Sequence, residues 1–195
     1  MNAISLADKE SIMQMFKSHL ESPLGGLLLV TDMAQHVRAL DFADHRARLQ
    51  RGLRTHYGIV DLTEIPPPAE IAQAIARYFA GDLEALGVLR TSTAGSVLQR
   101  RVWAALRRIP AGATTSYGKL ARELGFDDPR AAIDVGAANG ANPIAIVVPC
   151  HRVIASNGDL KGYAWGLHRK RWLLEHEGAI KPARTEARTA MLPGM

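Results

Sequence analysis

Ile144-Ala145-Ile146-Val147-Val148-Pro149-Cys150-His151-Arg152-Val153-Ile154 holds the single cysteine of the 195-residue chain. The apolar run before the proline is too short for a typical helix and reads as a buried segment. Proline stops the run, Cys150 and His151 follow at once, and Val153-Ile154 resume the apolar pattern. That order puts the thiol at the mouth of a packed core. Thiolate is the nucleophilic form of cysteine, and a free thiol titrates near ~8.5, so a working cysteine needs a neighbour that favours loss of its proton. His151 and Arg152 stand beside it. Lone cysteines more often serve as small buried hydrophobes, and the Cys-His pair taken alone favours that use.

Around this stretch the charge is uneven. Residues 1–94 hold 9 Lys/Arg against 11 Asp/Glu, whereas residues 95–195 hold 15 against 8, so the half with the cysteine is the basic half of a chain of net charge +5. A basic half suits an anionic partner, with nucleic acid the first candidate, or a solvated basic surface. One cysteine excludes an internal disulfide and any zinc site needing two thiolates, and fits a reducing, cytoplasmic compartment. No apolar run approaches the roughly 20 residues of a membrane span, and MNAISLADKE lacks the apolar core of a signal peptide.

Outward toward the N-terminus, residues 1–22 give a weak helix signal at most. Leu27-Leu28-Leu29-Val30 after Gly25-Gly26 predicts a buried strand, and His36–Phe42 alternates enough to pair with it. Leu49, Leu53 and Tyr57 have helical spacing within 43–57. After Pro66-Pro67-Pro68, the spacing of Ile71, Ile75, Tyr78 and Phe79 predicts an amphipathic helix ended by Gly81. These elements make a small α/β unit with no visible chemistry. Residues 86–95 read as a linker. A helix follows from about Ser96, with Leu98, Val102, Leu106 and Ile109 on one face, and Pro110-Ala111-Gly112 stops it.

A paired-helix pattern comes next. Tyr117, Leu120, Ala121 and Leu124 form an apolar face behind Ser116 as N-cap, and Gly125-Phe126-Asp127 makes the turn. Asp128 is the second N-cap candidate and Pro129 suits the first helical position, giving a helix over about 129–139. On it Val135, Ala131, Ala138 and Asn139 share one side, and Arg130, Ile133 and Ala137 the other. Such a pair in a basic region is a DNA-binding signal that an ordinary helical hairpin also satisfies. Past the cysteine, Ser156–Asp159 is a turn, Gly162-Tyr163-Ala164-Trp165-Gly166 a glycine-bounded aromatic loop, and 167–176 the last helix. Glu177 shares the buried face of Leu173 and Leu174, where a carboxylate needs a partner, and His151 can supply it. Residues 179–195 read as a disordered tail.

Taken together, Ile109-Pro110-Ala111-Gly112-Ala113-Thr114-Thr115-Ser116-Tyr117, Ala141-Asn142-Pro143, Pro149-Cys150-His151-Arg152-Val153, Gly162-Tyr163-Ala164-Trp165-Gly166 and Leu173-Leu174-Glu175-His176-Glu177-Gly178 occur in this order. The set resembles the O6-alkylguanine-DNA alkyltransferases, the methylated-DNA–protein-cysteine methyltransferases, and the Tyr-Ala-Trp-Gly loop is most similar to their bacterial, Ada-like members. The match covers residues 96–178. Several spaced motifs around one Cys-His pair are far more specific than any one of them.

The resemblance implies an α+β chain. A small N-terminal α/β (ribonuclease H-like) domain over 1–90 would precede a mainly helical 91–178 domain with a helix-turn-helix (winged-helix-like) motif. It implies repair of double-stranded DNA from the minor groove, with the damaged base flipped into a pocket. The lesion would be O6-alkylguanine, with O4-alkylthymine as a second candidate, and no cofactor, metal, membrane or obligate protein partner is expected. Cys150 would take the alkyl group irreversibly. His151 would accept the thiol proton through a water, Glu177 would hold His151, Tyr117 would donate toward guanine N3, and Asn142 would bridge the second DNA helix and the cysteine segment. Val153, Tyr163, Ala164 and Trp165 would wall the base pocket, Trp165 narrowing it against benzyl groups. Arg130, Ala131, Ala132, Ile133, Tyr117 and Arg152 would meet DNA.

One position departs from the pattern. The family inserts an arginine of the second helix into the base stack, and here that position is Ile133, followed by Asp134. Isoleucine can wedge into a base step but cannot hydrogen-bond the orphaned base. This leaves a rival reading, a lesion-binding protein with weak or no transfer, although the family's non-catalytic members lack the cysteine. A transcriptional regulator of this kind needs a cysteine-rich zinc module, which one cysteine excludes. A hydrolytic cysteine enzyme finds no support in the residues.

Overall fold

The computed structural model describes residues 13–182. The first part of the weak N-terminal helix signal (1–12) and the tail from 183 onward lie outside the described residues.

Leu27-Leu28-Leu29-Val30 forms the expected strand, β2 (Leu27–Thr31), and every residue of it is buried. The run is continuously apolar because both faces of the strand are covered. Leu27 and Leu29 join one core, while Leu28 and Val30 join a second with Met15, Ala39, Leu49 and Leu53. Alternate side chains of a strand point to opposite faces, so one short sequence serves both. β3 (Val37–Phe42) pairs with β2 antiparallel, Leu27 opposite Phe42 and Leu29 opposite Leu40. Helix α1 (Arg46–Tyr57) covers one face through Leu49 and Leu53. Helix α2 (Ala69–Phe79) buries Ile71, Ala74, Ile75 and Tyr78 in the core on the other face.

Two strands depart from the sequence expectation. Residues 13–20 form β1 (Met13–Leu20) instead of helix, antiparallel to β2 and parallel to β4 (Val60–Glu64), in the sheet order β3-β2-β1-β4. Neither period is legible in β1, because its fully buried positions, Met15 and Ser18, are three apart, and Lys17 and His19 both reach Glu64 of β4. β4 is an almost wholly exposed edge strand with little apolar content to announce it.

The outer edge of β3 positions the site. Val37 N–H donates to Arg90 O at 2.8 Å and Ser92 N–H to Val37 O at 3.0 Å, so the expected linker is docked on the sheet. Farther along, Leu40 N–H donates to Pro143 O at 3.0 Å and Ala145 N–H to Leu40 O at 2.8 Å. The segment leading to Cys150 is thereby attached to the N-terminal sheet.

The second half begins with α3 (Val97–Leu106), opened by a reciprocal Ser96–Gln99 capping box. Helix α4 (Tyr117–Glu123) is capped by Ser116, and Gly125 turns the chain at φ +81°. Asp128 accepts the Arg130 N–H at 2.8 Å, and α5 (Ala131–Gly140) starts two residues later than expected because 128–130 form a separate turn. Val135, Ala138 and Asn139 are its buried side, and Ile133 is 73% exposed on the other. β5 (Thr115–Ser116) pairs in parallel with β6 (Val153–Ile154). α6 (Leu167–His176) ends at Glu177, with Gly178 at φ +72°. One apolar core runs from Leu27, Leu40 and Tyr78 to Val102, Val135, Cys150, Trp165 and Leu173, so both halves pack on the same side chains.

Candidate active site

The apolar segment before Cys150 is buried, as its composition requires, and it forms a turn. Ile146 sits at φ +66°, a left-handed conformation that β-branched residues avoid. Asn142 holds the turn closed. Its Oδ1 accepts the Ile144 N–H at 3.0 Å, and its Nδ2 donates to Ile144 O at 3.2 Å, Val148 O at 2.7 Å and Cys150 Sγ at 3.2 Å. One asparagine, placed at the exit of α5, therefore both shapes the turn and gives the sulfur a hydrogen-bond donor.

Cys150 opens a short 3-10 turn, Cys150–Arg152, and is 2% exposed. Burial pushes its thiol up from the ordinary value, with the Asn142 hydrogen bond and the charges of Lys170 and Arg48 pulling the other way. At rest the sulfur is therefore a neutral thiol beside groups that favour its anion.

His151 is fully buried, and its Nε2 lies 2.9 Å from Glu177 Oε1. Glu177 also accepts Arg152 Nε–H on Oε2 at 2.9 Å, Arg152 Nη2–H on Oε1 at 2.9 Å and the Tyr78 hydroxyl on Oε1 at 2.7 Å. Burial raises the Glu177 carboxyl, but the hydrogen bonds and charges of His151 and Arg152 outweigh it and hold the group well below the usual range. A carboxylate accepts and cannot donate, so His151 carries its proton on Nε2 and leaves the Nδ1 lone pair free. Nδ1 is buried and has no protein partner among the described residues. Burial lowers the His151 pKa despite the pull of Glu177, so the resting imidazole is neutral. Neutral His151 and the Arg152–Glu177 ion pair make a charge-balanced base.

Next to this group lies an open cleft of about 540 Å3 lined by Tyr117, Ala132, Ile133, Gly136, Asn139, Gly140, Gly162, Tyr163 and Ala164. The Tyr117 hydroxyl donates to Lys161 O at 3.3 Å. Burial, and then the proximity of Cys150, raises the hydroxyl pKa of both Tyr117 and Tyr163, keeping them protonated donors. Among the pocket residues expected from sequence, Tyr163 and Ala164 line the cleft. Trp165 and Val153 do not. Trp165 is fully buried one layer behind Tyr163, its ring 5.0 Å from the tyrosine ring, because its indole N–H donates to buried Asp41 and Arg48 packs 4.3 Å over its face. Its presence therefore gives no reason for a narrowed pocket. Val153 is fully buried in the two-stranded sheet.

Of the expected DNA-facing residues, Arg130 and Ile133 are exposed and Ala131 and Ala132 half-buried. Arg152 is misplaced by the sequence reading. Its guanidinium is directed inward, paired with Glu177 and donating to Ile109 O, so it belongs to the His151–Glu177 cluster.

Sequence reasoning missed four contributors, and only the last of them carried a local signal. Tyr78 reaches Glu177 from α2. Asp41 of β3, buried and with its pKa raised by that burial, anchors Trp165 and Arg48. Arg48 of α1 donates to Gly140 O at 3.2 Å and Asn142 O at 2.7 Å, placing a cation at the C-terminal end of α5. Lys170 of α6 is fully buried, its ammonium donating to Val153 O at 2.7 Å and Lys161 O at 2.8 Å; burial lowers its pKa to about 8. A lysine on an apolar helix face was the visible hint, because a buried ammonium needs acceptors.

The family model described as the DNA-binding domain of 6-O-methylguanine DNA methyltransferase matches residues 97–179. The methylated-DNA–protein-cysteine methyltransferase of Salmonella typhimurium is 46% identical over 171 residues, 87% of this chain and 99% of that protein. The protein of the same name from Methanosarcina acetivorans is 38% identical over 165 residues, 85% and 99% of the two chains. Among solved structures, Mycobacterium tuberculosis O6-methylguanine methyltransferase superposes with a TM-score of 0.68 at 36% identity, covering 87% of this chain and 96% of that one. The M. tuberculosis OGT crystallised in complex with DNA superposes at 0.69 and 36% identity, over 84% and 93%. The chain belongs to the methylated-DNA–protein-cysteine methyltransferase family.

Proposed function

We propose that this protein repairs DNA by direct reversal, moving the alkyl group of O6-alkylguanine, and of O4-alkylthymine as a second lesion, onto its own Cys150 once per molecule. The observation that carries this reading is the hydrogen-bonded file in which Asn142 meets the sulfur and Tyr78 and Arg152 fix Glu177 on His151. His151 Nδ1 takes the thiol proton through a water, and Glu177 balances the imidazolium that results. Sγ attacks the alkyl carbon, the S–C bond forms as the C–O6 bond breaks, and the electron pair leaves with guanine. Tyr117, kept protonated by its surroundings, donates toward N3 of the leaving base. The thioether is a stable bond and leaves Cys150 without its thiol, so each molecule acts once.

The helices α4 and α5 act as a helix-turn-helix whose second member enters the minor groove of duplex DNA. Small Ala131 and Ala132 allow close approach, Arg130 meets phosphate, and Ile133 wedges the base step from the rim of the cleft. Residues 91–178 form the transfer domain and 1–90 the domain that supports it through Tyr78, Asp41 and Arg48. The lesion-binding reading without transfer is not favoured, since the family relationship and the Cys150 surroundings both point to transfer. The single cysteine and the DNA substrate support the reading that the protein works in the reducing bacterial cytoplasm. No helix among the described residues is long and apolar enough to cross a membrane. Digestion after reaction with an O6-methylguanine duplex tests the assignment: the methyl group is expected on the Cys150 peptide and absent from the Cys150→Ala protein. A methyl group on any other residue would contradict it.

A further inference from the structure

Asn142 Nδ2 faces three acceptors, Ile144 O at 3.2 Å, Val148 O at 2.7 Å and Cys150 Sγ at 3.2 Å, and an amide nitrogen carries only two hydrogens. The sulfur therefore competes with two carbonyls for its donor, and a small shift of Asn142 decides which acceptor goes without. The groups that fix Asn142 from outside the turn come from the N-terminal half. Arg48 Nη2 donates to Asn142 O at 2.7 Å and to Gly140 O at 3.2 Å. Leu40 of β3 holds the residues that follow, its N–H on Pro143 O at 3.0 Å and its carbonyl on the Ala145 N–H at 2.8 Å. Arg48 is itself locked, with Nη1 donating to buried Asp41 at 3.0 Å and the guanidinium packed 4.3 Å over the Trp165 ring. One planar fork thus meets a carboxylate with one arm and two carbonyls with the other, a task that the point charge of a lysine does not perform.

We propose that Arg48 is a positioning residue for alkyl transfer: it holds the Asn142 backbone where the side-chain N–H meets Cys150 Sγ, and so stabilises the thiolate that attacks the alkyl carbon. This rests on the transfer function proposed above. A thiolate accepts a hydrogen bond more strongly than a thiol, so the Asn142 N–H counts most once the proton has left for His151. Burial raises the Cys150 pKa, and the Asn142 hydrogen bond, then the charges of Lys170 and Arg48, oppose it. Arg48 therefore acts on the sulfur twice, by aiming the amide and by its own charge. The N-terminal half, which brings no group to the substrate, sets how much nucleophile the other half holds.

The test follows single-turnover methyl transfer from a saturating O6-methylguanine duplex between about pH 6 and 9, a range that spans the titration of a free thiol. It uses the full chain with Arg48, Arg48→Met or Arg48→Lys. The final number of methyl groups per molecule gives the folded fraction and the first-order rate gives the reactivity of that fraction, so partial misfolding does not disguise the result. Lys170 and His151 are present in all three proteins, and the ratio of variant to wild-type rate isolates Arg48. In Arg48→Met the rate at neutral pH is expected to fall about five-fold. A hydrogen bond to a charged group shifts the thiolate population about ten-fold or more, and the more basic sulfur recovers part of this as nucleophilicity. The deficit closes as pH rises and solvent takes the thiol proton, while duplex affinity stays as in the wild-type protein. Arg48→Lys keeps the charge without the fork and shows a smaller deficit of the same pH dependence. Rates unchanged in both variants, or lowered by the same factor at every pH, overturn the positioning role and leave the transfer function standing. A wild-type protein that transfers no methyl group overturns both.

Discussion

Tyr78 of α2 donates its hydroxyl to Glu177 at 2.7 Å across a sequence separation of 99 residues. The N-terminal unit, which has no chemistry of its own, thereby touches the carboxylate that holds the buried base. The contact is itself buried, and proximity to Glu177 adds to the burial that raises the tyrosine pKa, so the hydroxyl is always a donor. Tyr78→Phe removes one of four hydrogen bonds on a buried anion. A loss of about 1.5–3 kcal/mol in stability is expected, the range for hydrogen bonds to charged groups. Urea unfolding measures it, and a change below about 0.5 kcal/mol would show that the bond is not made.

Arg152 separates two readings of a basic residue beside the cysteine. If it meets phosphate, its loss weakens DNA binding and flattens the salt dependence. Its guanidinium instead faces Glu177 and Ile109. Arg152→Met leaves Glu177 buried without its cation and is expected to cost about 3–5 kcal/mol of stability. The slope of log affinity against log salt, measured on the fraction that remains folded, is expected to stay unchanged. A slope smaller by about one would return Arg152 to the DNA surface.

Acid should loosen the site in two steps. His151 has a folded pKa below its ordinary value, so the unfolded chain binds the proton first as pH falls past about 6.5, and stability drops with it. Glu177 has a depressed folded pKa, so its contribution is fully present above the ordinary carboxylate value of about 4.3 and is lost below it. Asp41, raised by burial, opposes this second step. Each group contributes at most about 1.4 kcal/mol per pH unit. Unfolding free energies between pH 8 and 4 should therefore decline from about 6.5 downward and more steeply below about 4.3. A stability that rises between pH 7 and 5.5 would contradict the neutral, buried state of His151.

The parts of this fold that are legible in sequence are those with local causes. Ser96, Ser116 and Gly125 announce their caps and turn, and Leu27–Val30 announces a strand buried on both faces. Glu177 is legible as a buried carboxylate from its spacing to Leu173 and Leu174. The misses have distant causes. Trp165 turns away from the cleft because Asp41, 124 residues earlier, accepts its N–H. Arg152 turns inward because Glu177 is there. β1 hides because its buried positions follow neither period, and Ser18 is one of them. Sequence spacing gives the side of an element a residue occupies. It does not give the partner that decides where a long polar side chain ends.

Ile133 stands on the exposed side of α5 at the rim of the cleft, with Asp134 next to it. An apolar wedge fills space in a base step but adds no charge attraction to phosphate. Ile133→Arg is expected to tighten duplex binding several-fold at low salt and to steepen the salt slope by up to about one, as one added phosphate contact requires. Titration of a labelled duplex at several salt concentrations checks this. Unchanged affinity and unchanged repair rate would show that this position does not meet DNA.

The most direct measurement is the intact mass of the protein after mixing with a short duplex that contains one O6-methylguanine, alongside Cys150→Ala. The expected result is a gain of one methylene in the wild-type protein, a methyl group replacing the thiol proton, that stops at one per molecule however much duplex is added. The variant gains nothing. A wild-type protein that binds the duplex and keeps its mass would contradict transfer to Cys150 and leave lesion binding as its activity.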